Sequence, residues 1–244
     1  MAPSPKRADL VLVERGLFES RARARAAVEA GNVTADAAPV AKPSDMIAEN
    51  AVLQAEPAHP FVSRGGVKLA GALEHYPIPI EDHVCLDVGA STGGFTEVLL
   101  ARGARRVVSI DVGRDQLHAR LRARPEVISL EATDVRALDP ARLGEPPEIV
   151  AVDVSFISLK LVLPAALALA APRATLVALI KPQFEAPRRR RKKGVVRAPE
   201  EHDAACADIA ACVTSLGWTV IATFPSPIEG GDGNREFFIG ARRG

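Results

Sequence analysis

Cysteine is scarce in this chain: Cys85, Cys206 and Cys212 are the whole set. They form no CxxC pair and are odd in number, which argues against a disulfide framework or a zinc site and fits a reducing cytosol. The five histidines show no metal-ligand spacing, and no serine stands in a nucleophile elbow, so no metal is expected. An excess of one charge is missing too. Lys+Arg 31 against Asp+Glu 30 leaves a formal net charge of +1, so any grip on nucleic acid has to come from local clusters. An unbroken membrane span is also lacking. The apolar run 161–180 is interrupted by Pro164, Pro172 and Arg173 and reads as a core helix followed by a buried strand. The first sixteen residues carry Lys6, Arg7, Asp9, Glu14 and Arg15 with no apolar core, so a signal peptide is not expected.

The residues that are present suit a packed globule. Of 244 residues 48% are hydrophobic and 25% charged, enough for one large α/β domain or a large domain with a small one. Apolar residues recur at helical spacing over 7–16 and 20–30, each stretch closing on glycine, Gly16 and Gly31. Short β-prone pieces broken by Pro39 and Pro43 come next, and then a proline-bearing stretch, 57–60, marks a domain boundary near residue 60. Beyond it, strand-like runs at 84–88, 106–110, 127–130, 149–152 and 175–180 alternate with helical patterns at 94–102, 114–122 and 161–171. Near-continuous apolar strands in such an alternation predict a doubly wound, Rossmann-like parallel sheet. A helix over 199–216 and strands at 219–224 and 236–241 close the chain, with the turn-rich PSPIEGGDGN making an antiparallel hairpin of the last two.

The strongest local signal is LDVGASTGGFTEVLL. A buried strand ends at Asp87 and Val88, a turn runs through Gly89, Ala90, Ser91, Thr92, Gly93 and Gly94, and an amphipathic helix succeeds it. Glycines let backbone approach a ligand and the new helix offers free N–H groups. The spacing is GxxxGG rather than the GxGxxG of dinucleotide enzymes. Asp111, with Val112 after it, closes the next strand where an acid can bind a ribose diol, and Asp134 closes the third. The plainer alternative is a strand-to-helix turn with acids as helix caps. A second signal is ionisable: Lys68, Asp153, Lys181 and Glu236 stand at strand ends or element starts, Asp153 and Lys181 directly after very apolar strands. Two lysines and two carboxylates in one crevice can pair alternately, whereas each alone reads equally as an exposed charge. The third is basic. Arg7, Arg21, Arg23 and Arg25 form an arginine stripe or a solvated face nearly cancelled by acids, and the run Arg188, Arg189, Arg190, Arg191, Lys192 and Lys193 reads as a loop that orders on nucleic acid.

These residues fall into a family pattern. SRGGVKL (63–69), DVGASTGGFTEVLL (87–100), DVSFISL (153–159), IKPQFE (180–185), GVVR (194–197) and GNREFF (233–238) resemble the TlyA or haemolysin A family, ribosomal RNA ribose 2'-O-methyltransferases of the FtsJ-like class. The N-terminal RADLVLVERGLFESRARARAAVEAGNV with KPSD resembles the S4-type RNA-binding module that precedes the catalytic domain there, so the resemblance spans nearly the whole chain. Two departures stand out: TADAAP (34–39) replaces the module's Val-Asn-Gly turn, and PRRRRKK replaces a glycine-containing segment. The resemblance implies an S4-type α+β domain over 1–60 and a class I methyltransferase domain over 61–244, acting on cytidine in 16S or 23S rRNA of ribosomal subunits. It implies S-adenosylmethionine at Asp87, Gly89–Gly94, Asp111, Val112, Asp134 and Asp153; catalysis by a tetrad of Lys68, Asp153, Lys181 and Glu236; RNA contacts that include Arg64; and a cytoplasmic location. Two other classes compete: a membrane-perturbing haemolysin, and an rRNA-binding assembly factor without catalysis. Leakage of liposomes without donor or RNA would favour the first, and tight donor binding without transfer the second.

Overall fold

In the computed structural model, residues 4–185, 195–231 and 233–244 are described, and the chain divides into two compact units, Met1–Pro60 and Phe61–Gly244. The first unit contains β1 (Lys6–Arg7), α1 (Ala8–Glu14), α2 (Arg21–Glu29), β2 (Val33–Ala35), β3 (Ala38–Pro39), β4 (Met46–Ile47) and β5 (Leu53–Ala55). Helix α2 begins at Ser20, whose hydroxyl accepts the Arg23 amide, and it buries Ala24, Ala27 and Val28 at i, i+3 and i+4. These side chains close on Leu12, Phe18, Val33 and Val40 to make a small separate core. Strand β2 pairs antiparallel with β3 and with β5.

The β2–β3 hairpin turns on Asp36 and Ala37, with φ of 49° and 64°. Positive φ at both central positions is the type I′ pattern of two-residue hairpins, for which Asn-Gly is usual. Asp36 is anchored, its Oδ1 accepting the Val52 amide at 2.8 Å, but Ala37 carries a Cβ in a region that disfavours it. Replacing Ala37→Gly should therefore raise stability, by about 0.5–1 kcal/mol, against the ordinary cost of adding a glycine. A urea midpoint that stays put or falls would show that the turn is not strained.

The second unit holds α3 (Arg64–His75), β6 (Val84–Val88), α4 (Gly94–Ala101), β7 (Arg106–Ile110), α5 (Ala119–Arg122), β8 (Val127–Leu130), β9 (Ile149–Val152), α6 (Leu159–Ala168), β10 (Ala174–Ile180), α7 (Pro182–Glu185), α8 (Pro199–Ser215), β11 (Thr219–Pro225) and β12 (Phe237–Arg243). The strands form one seven-stranded sheet in the order β11-β12-β10-β9-β6-β7-β8. From β10 to β8 all pairings are parallel, and β12 lies antiparallel to both β10 and β11. Cores cover both faces: Val88, Val150, Val152, Leu163 and Ile209 on one, Cys85, Leu99, Leu69 and Phe238 on the other. The expected Rossmann-like sheet with its antiparallel ending is what the chain forms.

The order reverses at β6. From there the chain moves outward through β7 and β8, then crosses back to β9 on the other side. The crevice beyond the carboxyl ends of β6 and β9 is thus the switch point at which such sheets bind ligands.

Two elements differ from the sequence reading. Helix α3 was not anticipated, because its glycines at 65, 66 and 71 depress helix propensity and Lys68 interrupts its buried stripe of Leu69, Ala72 and Leu73. Lys68 accordingly stands inside a helix and not at an element start. The helix expected over 114–122 shrinks to Ala119–Arg122, since Glu131 accepts the amides of Asp115, Gln116 and Leu117 and holds them in a loop.

Candidate active site

Three of the four tetrad residues stand just past strand ends on one edge of the sheet. Asp153 comes directly after β9 and Lys181 directly after β10. Ile180 pairs with Phe237, so the register continued by one residue sets Lys181 opposite Glu236. The fourth, Lys68, comes from α3, whose first turn adjoins Asp153: a Cβ built on Gly65 would lie 3.7 Å from Asp153 Oδ2. Two ion pairs result. Lys68 Nζ meets Glu236 Oε2 at 2.6 Å, and Lys181 Nζ meets Asp153 Oδ1 at 2.6 Å. All four side chains are largely buried, with exposures of 10%, 3%, 10% and 18% for Lys68, Glu236, Lys181 and Asp153. Charges so deeply placed persist only when paired.

A cavity of about 610 Å³ opens at the switch point, within the usual range for small-molecule sites. Its wall includes Gly89, Ser91, Asp111, Val112, Asp134 and Asp153 of the expected donor residues. Asp111 accepts the Ser91 amide on Oδ2 at 2.8 Å and the Gly113 amide on Oδ1 at 2.7 Å. Each oxygen keeps a lone pair for a further donor. Asp134 caps the 3₁₀ turn Val135–Ala137 and pairs with Arg136 at 2.6 Å, and that guanidinium holds its carboxyl below the usual range. Among the described residues Asp134 pairs with Arg136 and Asp153 with Lys181, while Asp111 meets only backbone amides, so the cavity wall keeps one carboxylate in excess, which suits a cationic ligand.

The other donor candidates lie beneath or beside this wall. Ala90 is buried, its amide donating to the Ile110 carbonyl, and the Thr92 carbonyl accepts the His118 amide. Gly93 has φ 96°, and a Cβ there would strike Leu121 and Leu117 at 2.4 and 2.8 Å; at Gly94 it would strike Ser63 Oγ at 2.3 Å. Both glycines thus answer first to packing of the protein on itself. Asp87 is fully buried, outside the cavity wall. Thr96 donates to its Oδ2 at 2.6 Å, while Oδ1 has no hydrogen-bond partner among the described residues.

The basic candidates divide. Arg7 and Arg21 grip the buried carboxylate of Asp9 at 2.9 and 2.8 Å, and they push its pKa down to about 2, Arg7's hydrogen bond being the larger cause. The stability that this carboxylate supplies is complete above its unfolded pKa and is lost as pH falls through about 2. Arg25 faces Glu29 at 3.9 Å on the surface, and Arg64, exposed, donates to the Glu229 carbonyl. The run 188–193 lies outside the described residues. Residues that the sequence reading gave no role include Ser155 and Phe156, which line the cavity; both sit inside the DVSFISL segment. Gln116 and Arg136 also line it, with no sequence signal to find them, because folding alone brings them there.

A family model for FtsJ-like methyltransferases matches residues 61–243. The chain is a TlyA-type member of the FtsJ-like methyltransferase family. It is 42% identical over 239 residues to the 16S/23S rRNA (cytidine-2'-O)-methyltransferase TlyA of Mycobacterium tuberculosis, covering 97% of this chain and 89% of that protein. It is 33% identical to Hemolysin A of Brachyspira hyodysenteriae, covering 95% of this chain and 97% of the other. Among solved structures, a Streptococcus thermophilus protein provisionally described as a hemolysin superposes with a TM-score of 0.78 at 37% identity, covering 99% of this chain and 90% of that one. Among the described residues, no helix is long and apolar enough to cross a membrane.

Burial raises the Asp87 pKa to about 7, with the charges of Asp153 and Asp111 adding to it and the Thr96 hydrogen bond opposing. A raised carboxyl holds a proton in the native state that the unfolded chain has lost. Stability should therefore fall between pH 4 and 7, at up to about 1.4 kcal/mol per pH unit, and level off above. Asp87→Asn should remove that slope. Urea midpoints from pH 5 to 8 check it, and equal slopes in the two proteins would refute it.

Proposed function

We propose that this protein is an S-adenosylmethionine-dependent ribosomal RNA ribose 2'-O-methyltransferase acting on cytidine in 16S or 23S rRNA, alone or within ribosomal subunits, in the cytoplasm. The observation that carries the reading is the pair of buried ion pairs, Lys181–Asp153 and Lys68–Glu236, beside a carboxylate-rich cavity at the switch point of a methyltransferase sheet. The name of the M. tuberculosis relative, matched along nearly the whole chain, supports the substrate.

The cavity fits the donor in charge and in hydrogen-bonding capacity. Asp111 would hold the ribose diol with its remaining lone pairs, Asp134 would lie near the adenine, and Gly89, Ser91 and Val112 would line the site, the Gly89 and Ser91 amides being engaged by the Ile110 carbonyl and Asp111. When bound, the donor supplies a methyl group on a cationic sulfur, open to in-line displacement. The acceptor needs its ribose 2'-hydroxyl positioned and relieved of a proton, because a neutral hydroxyl is a poor nucleophile. Once the Lys181 ammonium has released a proton to solvent, the neutral amine receives the hydroxyl proton at Nζ, Asp153 holds the amine in place, and Lys68 with Glu236 keeps the surrounding charge balanced. The N-terminal unit acts as an S4-type RNA-binding domain, a reading supported by its paired helices, its small antiparallel strands and KPSD. Arg7, Arg21 and Arg25 offer phosphate contacts there, together with Arg64 and the basic run Arg188, Arg189, Arg190, Arg191, Lys192 and Lys193 in the second unit.

Mapping 2'-O-methylation in rRNA from cells with and without the gene tests the reading; identical maps would defeat it. Within the enzyme, Lys181→Arg should lose the chemical step by at least a hundredfold while donor and RNA still bind, since arginine stays charged. Near-normal single-turnover transfer by that variant would leave Lys181 only a positioning role.

A further inference from the structure

Among the described residues the Lys181 amine meets Asp153 and Ser155, and they do different things. Asp153 Oδ1 lies 2.6 Å from Nζ but off the hydrogen-bonding angle, so this contact draws an N–H toward it by charge and holds its direction less tightly than an aligned bond does. Ser155 Oγ accepts a hydrogen bond from the same nitrogen at 2.8 Å. Ser155 and Asp153 both line the cavity.

The chain is bent to put Ser155 there. Three residues beyond Asp153, the backbone reaches Phe156, whose φ is 67°. An aromatic residue in the left-handed region is strained, and such strain persists only where the surroundings enforce it. Phe156 is 91% exposed, so burial of its own ring does not enforce the bend. The segment after the bend is anchored: Ser158 caps α6, and Glu185 accepts the Leu159 amide at 2.8 Å and a hydrogen bond from the Ser158 hydroxyl. The turn from β9 into α6 is therefore pinned to α7, immediately after Lys181.

We propose that Ser155 is a positioning residue for methyl transfer, its hydroxyl fixing the rotation of the Lys181 amine. This deepens the proposed methyltransferase function and rests on it. A neutral amine has two hydrogens and one lone pair. With one hydrogen held by Ser155 and the other turned toward Asp153, the lone pair is the valence left for the proton of the acceptor hydroxyl. In the transfer, the O–H bond breaks and its proton goes to Nζ. With the donor bound, the oxygen would bond to the methyl carbon as the carbon–sulfur bond breaks and its electrons stay on sulfur. Without Ser155 the charge partner remains and the direction is lost.

The test uses the full chain as wild type, Ser155→Ala and Ser155→Thr. In the first arm the donor-free protein is labelled with trace acetic anhydride, and modification at Lys181 is read by mass spectrometry relative to Lys68, an equally buried, paired amine that reports any general loosening. The Lys181:Lys68 ratio should rise about fivefold in Ser155→Ala and stay near wild type in Ser155→Thr, which keeps the hydroxyl. In the second arm, single-turnover methyl transfer to rRNA should fall about tenfold in Ser155→Ala, with donor and RNA affinities within about twofold of wild type and recovery in Ser155→Thr. In a Lys181→Ala background, adding Ser155→Ala should cost nothing further. An unchanged labelling ratio in Ser155→Ala, a threonine variant as altered as the alanine one, or an undiminished transfer rate would each overturn the proposal. Should wild type transfer no methyl group to rRNA, the functional reading fails, while the labelling ratio still decides whether Ser155 holds the amine.

Discussion

Four charges buried at one sheet edge are the constraint around which the second unit is arranged. An ammonium or carboxylate removed from water costs several kcal/mol unless a partner meets it, and Lys68, Glu236, Lys181 and Asp153 meet that condition only as two pairs. The pairs draw on distant parts of the chain. Lys68 and Glu236 are 168 residues apart, so α3 must lie against the start of β12 before either can be buried. The antiparallel last strand, an oddity in an otherwise parallel sheet, delivers Glu236 by entering the sheet at the edge where β9 and β10 leave it.

The same edge is where the cavity opens, and the two share a residue. Asp153 is at once partner to Lys181 and part of the cavity wall. A ligand's positive charge in the cavity and the ammonium of Lys181 therefore compete for one carboxylate. Buried Asp87 feels the same field, with Asp153 and Asp111 among the causes of its raised pKa.

The parallel sheet, its antiparallel ending and the edge that carries the site were legible because each strand is a short apolar run ending in a chemically distinct residue. Val84–Val88 ends before a glycine turn, Ile149–Val152 before Asp153 and Ala174–Ile180 before Lys181. The period of the runs and the polarity of their ends carry that information locally. Helix α3 was illegible for the opposite reason: its glycines and its lysine make sense only once its packing partners and Glu236 are in place. The glycine-rich turn after Val88 was legible as a turn but not in detail. Its glycine pattern suggested ligand contact throughout, whereas Gly93 and Gly94 are constrained by Leu121, Leu117 and Ser63, and Gly89, though it lines the cavity with Ser91, is constrained by the Asp153 carbonyl. A glycine says that a Cβ does not fit, and leaves open what occupies its place.

The arginines of the N-terminal unit show how charge along a sequence misstates charge on a surface. Arg7, Arg21 and Arg25 read as a stripe, but two of them converge on Asp9, a carboxylate with no exposure at all. Burying that acid commits part of each guanidinium to the fold, so neither presents a free fork. Their side chains remain 41% and 54% exposed, and a guanidinium has five N–H donors. A phosphate approaching this face would therefore meet donors already aimed by Asp9, losing less side-chain freedom than it would on binding two unpaired arginines. The acids that nearly cancel the basic charge in the sequence thus do not all oppose an anion. Asp9, at least, orients the groups that would receive one.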